Sequence, residues 1–156
     1  MTPADLLPAG RVPGAKIPTA VSCTRGMVAV ALTDVAGSSD VFDRGFVTYS
    51  NAAKVEMLGI RPETLAAHGA VSEEIALEMA EGALRQSRAD LAVSITGIAG
   101  PGGSEFKPEG RVCFGLARKG HATVTETVEF GALGRDRVRK AARDHALGLL
   151  AGGLGA

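Results

Sequence analysis

Asp90-Leu91-Ala92-Val93-Ser94-Ile95-Thr96-Gly97-Ile98-Ala99-Gly100-Pro101-Gly102-Gly103 is the stretch that decides the fold class of this chain. Its first part, residues 90–97, contains the nearly continuous apolar run Leu91-Ala92-Val93-Ser94-Ile95, which is typical of a strand buried on both faces. Its second part is too rich in glycine and proline for regular structure, and missing side chains would let a ligand approach the backbone. The spacing matches neither a P-loop nor a dinucleotide fingerprint. The loop is therefore either a ligand contact or a tight structural loop.

Strand and helix patterns alternate before this core strand and continue after it. The expected elements are a strand at 15–21, a helix at 25–35, a strand at 45–50, a helix capped by Asn51 and stopped by Gly59, a short helix opened by Pro62, a helix capped by Ser72 that runs to about residue 87, two strands at 111–117 and 122–130, and an amphipathic helix at 135–150. The last two strands flank a turn at Lys119-Gly120 and predict an antiparallel hairpin. A mixed sheet with helices packed on it follows, and the length predicts one domain over 1–156 with a loose opening at 1–14.

Composition excludes several classes of function. Seventeen basic and seventeen acidic side chains give no net charge, so no global electrostatic field draws the protein to nucleic acid or to a membrane surface. Apolar runs stay far below the roughly 20 residues of a membrane span, and the polar, proline-broken N-terminus does not look like a leader. We therefore expect a cytoplasmic location.

Cys23 and Cys113 are expected to be reduced thiols. The three histidines are scattered along the sequence and predict no metal site; they are His68, His121 and His145.

The first candidate for chemistry is Ser22-Cys23-Thr24-Arg25-Gly26, where a predicted strand passes into a predicted helix. Backbone N–H groups at such a place can stabilise an anion or a developing oxyanion. In one interpretation Ser22 is a nucleophile, and in the other Ser22 or Thr24 only caps the helix. Cys23 is a rival nucleophile, although Arg25 is the only cation close enough to activate a thiol.

The second candidate is Thr48-Tyr49-Ser50-Asn51-Ala52-Ala53-Lys54, which also joins a strand to a helix. A lysine acts as a general base only when burial or a nearby cation lowers its pKa, and a tyrosine can relay or donate a proton. The alternative is a solvated helix lysine beside a half-buried tyrosine. Tyr49 is the only tyrosine of the chain.

In this order and spacing, the three segments resemble the CinA C-terminal domain family. The likeness covers nearly the whole chain and extends to residues 32–39, 45–51 and 68–72. Standalone members of that family are nicotinamide mononucleotide deamidases. The resemblance implies a three-layer α/β/α sandwich with a mixed central sheet. It also implies hydrolysis of the nicotinamide carboxamide to nicotinate mononucleotide and ammonia, with no metal or redox cofactor.

The resemblance also implies roles for individual residues. Ser22 would be the nucleophile, Lys54 its general base, and Tyr49 a proton-relay or orienting partner. Arg135 would clamp the substrate phosphate, although Gly134 replaces the acidic neighbour that the family carries there. The implied substrate-binding residues are Thr24, Arg25, Gly26, Ser39, Thr96, Gly97, Gly100, Gly102, Gly103 and Arg135.

Two departures flank the proposed nucleophile and keep rival functions open. The family usually reads Ala-Glu-Ser-Cys-Thr-Gly-Gly, whereas this chain has Val21 for the glutamate and Arg25 for the first glycine. Arg25 adds bulk near the backbone, or else a phosphate contact. One rival is a silent nucleotide-binding or assembly module, and another is a thiol enzyme using Cys23. The expected partner is a small nucleotide, with a homo-oligomer left open.

Overall fold

The computed structural model describes residues 17–21, 26–34, 39, 42–104 and 106–153, and for 17–21 it describes the backbone alone. Five strands and five helices lie within these residues. In chain order they are β1 (Ile17–Val21), α1 (Met27–Thr33), β2 (Phe42–Val47), α2 (Asn51–Leu58), α3 (Pro62–His68), α4 (Glu73–Arg85), β3 (Leu91–Gly97), β4 (Arg111–Arg118), β5 (Val124–Glu129) and α5 (Arg135–Gly153).

The strands form one mixed sheet in the order β2-β1-β3-β4-β5. β1 lies parallel to both β2 and β3, whereas β3 pairs with β4, and β4 with β5, in antiparallel fashion. The hairpin of β4 and β5 turns at Lys119-Gly120, where Gly120 has a φ of 79°. The mixed sheet and its antiparallel hairpin are thus confirmed.

Helices cover both faces of the sheet, and β3 and β4 both contact the two helix layers. Leu91, Val93 and Ile95 pack with apolar residues of α1 and α5 on one face. Ala92 packs with α4 on the other face, and Ser94 Oγ donates a hydrogen bond of 2.5 Å to the Ala76 carbonyl of that helix. Successive side chains of a strand point to opposite faces of the sheet. A strand with apolar side chains on both faces therefore needs a layer of helices on each face. The three-layer α/β/α sandwich is confirmed.

The second strand differs from its predicted bounds of 45–50. β2 begins at Phe42, opposite Ile17, and ends at Val47, opposite Val21. The length of β2 is set by its pairing with β1, and the alternation of side chains along β2 carries no information about where that pairing begins or ends. The cap of α2 also differs from the prediction, because Ser50 Oγ accepts the hydrogen bond from Ala53 N (3.0 Å) and Asn51 is the first helical residue.

The other predicted helix signals lie where the sequence placed them. Gly59 ends α2 in the left-handed region with a φ of 69°, and Pro62 is the first residue of α3. Ser72 caps α4 by accepting from Ile75 N at 3.2 Å. Among the described residues, no helix combines the length and the apolar character that a membrane crossing requires.

Candidate active site

The carboxyl ends of the three parallel strands meet at one edge of the sheet. Val21 of β1 pairs with Val47 of β2 and with Ile95 of β3, so the chain leaves these strands side by side. Ligands of α/β sheets bind at such an edge because the connecting loops converge there. Ser22 follows Val21 directly in the sequence; Ser22, Thr24 and Arg25 lie outside the described residues.

A cleft of about 270 Å³ opens at this edge. It combines predicted residues from the β2–α2 connection, from the end of β3 and from the start of α5. Its lining consists of Tyr49, Asn51, Lys54, Ala70, Val71, Thr96, Gly97, Ala99 and Arg135. The structure therefore brings five predicted site residues together; these are Tyr49, Lys54, Thr96, Gly97 and Arg135.

Lys54 is the most unusual side chain of the cleft, because only 2% of its surface is exposed. It lies on α2, one turn after the Ser50 cap, and its Nζ donates a hydrogen bond of 2.6 Å to the Thr48 carbonyl. Burial opposes the charged form of an amine, which is the condition that a lysine base requires. The alternative of a solvated helix lysine is wrong for this residue.

Arg135, the first residue of α5, joins two walls of the cleft. Its Nη1 donates to the Gly100 carbonyl at 2.8 Å, and its Nη2 donates to Tyr49 Oη at 3.2 Å. The guanidinium thus connects the glycine-rich loop with the β2–α2 connection. Tyr49 lines the cleft and is 59% exposed, so its side chain is accessible from solvent.

Several other predicted substrate contacts are not part of the cleft lining. Gly26, with a φ of 89°, precedes α1, and Ser39 is exposed. Gly102 N donates to Glu109 Oε1 at 2.7 Å. A Cβ on Gly103 would lie 2.3 Å from the Lys107 carbonyl, so the tight packing of the loop itself accounts for that glycine. Contact of these residues with substrate stays a prediction.

Sequence reasoning assigned no site role to three lining residues, namely Asn51, Ala70 and Val71, whereas the fourth, Ala99, lies in the glycine-rich loop that is predicted to contact a ligand. The sequence predicts Asn51 to be a helix cap, but it is the first residue of α2. Ala70 is brought to the cleft by a contact remote in sequence, because Thr96 Oγ1 donates to its carbonyl at 2.7 Å. No periodic pattern predicts a contact of this kind.

Two further cavities contain none of the predicted site residues. One of about 520 Å³ lies at the opposite end of the sheet, between the end of α4 and the β4–β5 turn. The other, of about 420 Å³, contains Cys113, a buried free thiol that contacts Thr127 Oγ1 at 3.4 Å. Burial raises the pKa of the Cys113 thiol above its ordinary value of 9.0, and the Thr127 hydrogen bond opposes that rise.

Within the described residues, no cluster of three histidine, cysteine or carboxylate side chains could hold a metal ion.

The family model of the CinA C-terminal domain matches residues 7–154. The chain belongs to the CinA C-terminal domain family. A relative named nicotinamide-nucleotide amidohydrolase PncC, from Escherichia coli K12, is 57% identical over 135 residues, which cover 86% of this chain and 81% of the relative. A CinA-like protein of Chloroherpeton thalassium is 53% identical over 136 residues, but these cover only 32% of its length.

Solved structures of the family share the fold closely. The competence/damage inducible protein CihA from Agrobacterium tumefaciens superposes with a TM-score of 0.94 at 45% identity and covers 99% of this chain and 93% of its own. A CinA superfamily protein from Enterobacter cloacae superposes with a TM-score of 0.91 at 36% identity, with coverages of 99% and 93%. The family's fold therefore accounts for nearly the whole chain.

Proposed function

We propose that this chain is a nicotinamide-nucleotide amidohydrolase, which hydrolyses the carboxamide of nicotinamide mononucleotide to nicotinate mononucleotide and ammonia. The observation that carries the proposal is the buried Lys54 amine in a cleft that also contains Tyr49 and Arg135. The proposal is supported by the PncC relative from Escherichia coli, whose similarity extends over 86% of this chain.

In the proposed mechanism, Ser22 Oγ attacks the carboxamide carbon while its proton passes to Lys54, either directly or through Tyr49. Backbone N–H groups near Thr24 to Gly26 stabilise the oxyanion of the tetrahedral intermediate. The intermediate collapses when the nitrogen takes the proton back from Lys54 and leaves as ammonia, so the C–N bond breaks and Ser22 retains the acyl group as an ester. Water then hydrolyses that ester and restores the free hydroxyl. The end of β1 at Val21, beside Val47 and Ile95, supports a nucleophile at this edge.

Arg135 is the proposed phosphate-binding residue. Its guanidinium lies in the wall of the cleft and is oriented by the Gly100 carbonyl and by Tyr49 Oη. A planar guanidinium can present paired N–H donors to phosphate oxygens, whereas an ammonium acts as a point charge. Thr96 and Gly97, at the end of β3, would then face the remainder of the nucleotide.

The test is release of ammonia by the purified protein from nicotinamide mononucleotide and from other pyridine nucleotide amides. Ser22→Ala and Lys54→Met should each lower kcat/KM by at least about 1,000-fold, because each removes a group that acts on the reacting atoms. Lys119→Met is the matched control, since Lys119 lies in the exposed turn at the far end of the sheet. It should retain the activity of the unaltered protein.

Three results would contradict parts of the proposal. Absence of ammonia release from all of the amides excludes the function, and binding without turnover indicates the silent module instead. In that case the double change Val21→Glu and Arg25→Gly tests whether those two residues disable the site. Full activity in Ser22→Ala, combined with sensitivity to thiol alkylation, would transfer the nucleophile to Cys23.

A further inference from the structure

Glu109 binds two separate stretches of backbone at the border of the cleft. Its Oε1 accepts a hydrogen bond from Gly102 N at 2.7 Å, and its Oε2 accepts one from Gly134 N at 2.9 Å. Gly102 belongs to the glycine-rich loop after β3, whereas Gly134 lies in the connection from β5 to α5. A carboxylate that accepts from two N–H groups makes charge-assisted bonds, which are stronger than bonds between neutral groups.

Both stretches support the guanidinium of Arg135. Gly134 immediately precedes Arg135, and Gly100, whose carbonyl accepts from Arg135 Nη1, lies two residues before Gly102. A Cβ on Gly100 would lie 2.5 Å from Glu109 Cδ, so the carboxylate packs directly against that part of the loop. Glu109 therefore fixes both the backbone that carries Arg135 and the backbone that orients it.

We propose that Glu109 is a positioning residue, which holds Arg135 in the orientation that binds the substrate phosphate and contacts Tyr49. Its effect on catalysis rests on the proposed function. Glu109 is not part of the cleft lining, so it acts through Arg135 and does not touch substrate. Position 134 is a glycine, and Glu109 supplies the carboxylate that contacts the backbone there.

The effect of Glu109 should be local, because other bonds hold the base and the tip of the loop. Ile98 N donates to the Arg111 carbonyl at 2.9 Å, and Gly110 N donates to the Ile98 carbonyl at 2.8 Å. Ser104 and Lys107 pair near the tip. Without the carboxylate the loop would keep these bonds, and only the contacts that support Arg135 would loosen.

The experiment compares Glu109→Gln with Arg135→Met and with the control Glu63→Gln, which alters an exposed carboxylate on α3. A glutamine keeps one acceptor but turns an N–H group toward the second backbone N–H. We expect Glu109→Gln to raise KM for nicotinamide mononucleotide roughly 5- to 30-fold with kcat nearly unchanged, since it weakens binding of a non-reacting group. Glu63→Gln should match the unaltered protein.

Tyrosine fluorescence gives a readout that does not depend on activity. The chain has one tyrosine and no tryptophan, so its emission reports the surroundings of Tyr49, which include the contact with Arg135. We expect the intensity of the Tyr49 emission to change in the same direction in Glu109→Gln as in Arg135→Met, relative to the unaltered protein. If the unaltered protein releases no ammonia, the proposed function fails, and this shift still decides the positioning role.

Two results would overturn the proposal. The first is a Glu109→Gln protein that keeps both the KM and the Tyr49 emission of the unaltered chain. The second is a failure to fold. If Glu109→Gln does not fold, the same measurements are made on Glu109→Asp, whose shorter side chain cannot reach both N–H groups. Loss of folding in both variants would show that Glu109 supports the whole domain instead of Arg135.

Discussion

Thr48 and Thr96 are two buried threonines at the carboxyl edge of the parallel strands, and their hydroxyls have opposite environments. Thr96 Oγ1 donates to the Ala70 carbonyl at 2.7 Å. Thr48 is fully buried, and its Oγ1 has no hydrogen-bond partner among the residues that the structure describes. A buried hydroxyl without a partner loses its hydration and gains nothing in return. The two residues should therefore contribute to stability with opposite signs.

Substitution by valine, which has nearly the same shape, should reveal that difference. Thr48→Val is expected to raise the free energy of unfolding by about 1 kcal/mol, and Thr96→Val to lower it by about 1 kcal/mol. Urea unfolding followed by circular dichroism measures both values. A loss of stability in Thr48→Val as large as that in Thr96→Val would contradict this interpretation.

For individual residues, sequence alone predicts site residues that directly follow the end of a strand. It misses site residues whose position depends on contacts with segments distant in sequence. Tyr49 and Lys54 follow β2 directly, so their position on the binding edge is readable from the local pattern. The burial of Lys54 is not readable, because it depends on how α2 packs. Glu109 contacts Gly134 across 25 positions, and a separation of that kind leaves no periodic signal.

Helices α2 and α4 pack closely where Gly82 of α4 faces the end of α2. A Cβ on Gly82 would lie 2.1 Å from the Leu58 carbonyl, which is far below any real contact distance. Gly148 of α5 is an exposed helical glycine with nothing within 4 Å of its Cβ position. The first glycine therefore permits the approach of two helices, whereas the second serves no packing role.

Alanine at these two positions should have opposite effects. Gly82→Ala is expected to lower the free energy of unfolding by about 1–3 kcal/mol, because the helices must move apart. Gly148→Ala should raise it by about 0.5–1 kcal/mol, the usual difference between alanine and glycine inside a helix. Chemical denaturation measures both changes. An increase in the free energy of unfolding in Gly82→Ala would show that α2 and α4 can move apart without loss of stability.

Helix ends are predictable from sequence here because their signals are local. Gly59, Pro62 and Ser72 act on the backbone within a few residues of themselves. The bounds of β2 were not predictable in the same way, since its hydrogen bonds go to β1, and β1 decides where the pairing begins and ends.

The stability of the whole molecule should depend on the Cys113 thiol at alkaline pH. Burial raises the pKa of this thiol in the folded protein above 9.0, its ordinary value and the one expected for the unfolded chain. The folded state thus holds the proton to higher pH than the unfolded state does. The resulting stability is fully present below about pH 9 and is lost as the pH rises toward the folded pKa.

Comparison with Cys113→Ser, whose hydroxyl does not titrate in this range, isolates that contribution. Above about pH 9, the free energy of unfolding of the unaltered protein should fall more steeply than that of the variant, by up to about 1.4 kcal/mol per pH unit. Urea unfolding at a series of pH values gives both slopes. Equal slopes would show that ionisation of Cys113 is not coupled to folding.

The order of the strands was the part of the fold that local patterns could not supply. Alternation and apolar runs identified the strands, and the short turn at Lys119-Gly120 identified one pair. The position of β1 between β2 and β3 depends instead on pairings between distant segments, such as Thr19 with Gly45 and with Val93. The resemblance to the CinA family supplied the three-layer arrangement that these patterns left open.

The central position of β1 also affects the order of events during synthesis. Although β1 precedes the other described strands, its second neighbour, β3, emerges from the ribosome only about 70 residues later, a separation that slows folding. Until then, β1 and β2 can form only a two-stranded ribbon with one β1 edge still unpaired, and such an edge is prone to pair with other chains. Nascent chains stalled before residue 91 should therefore depend most on chaperones.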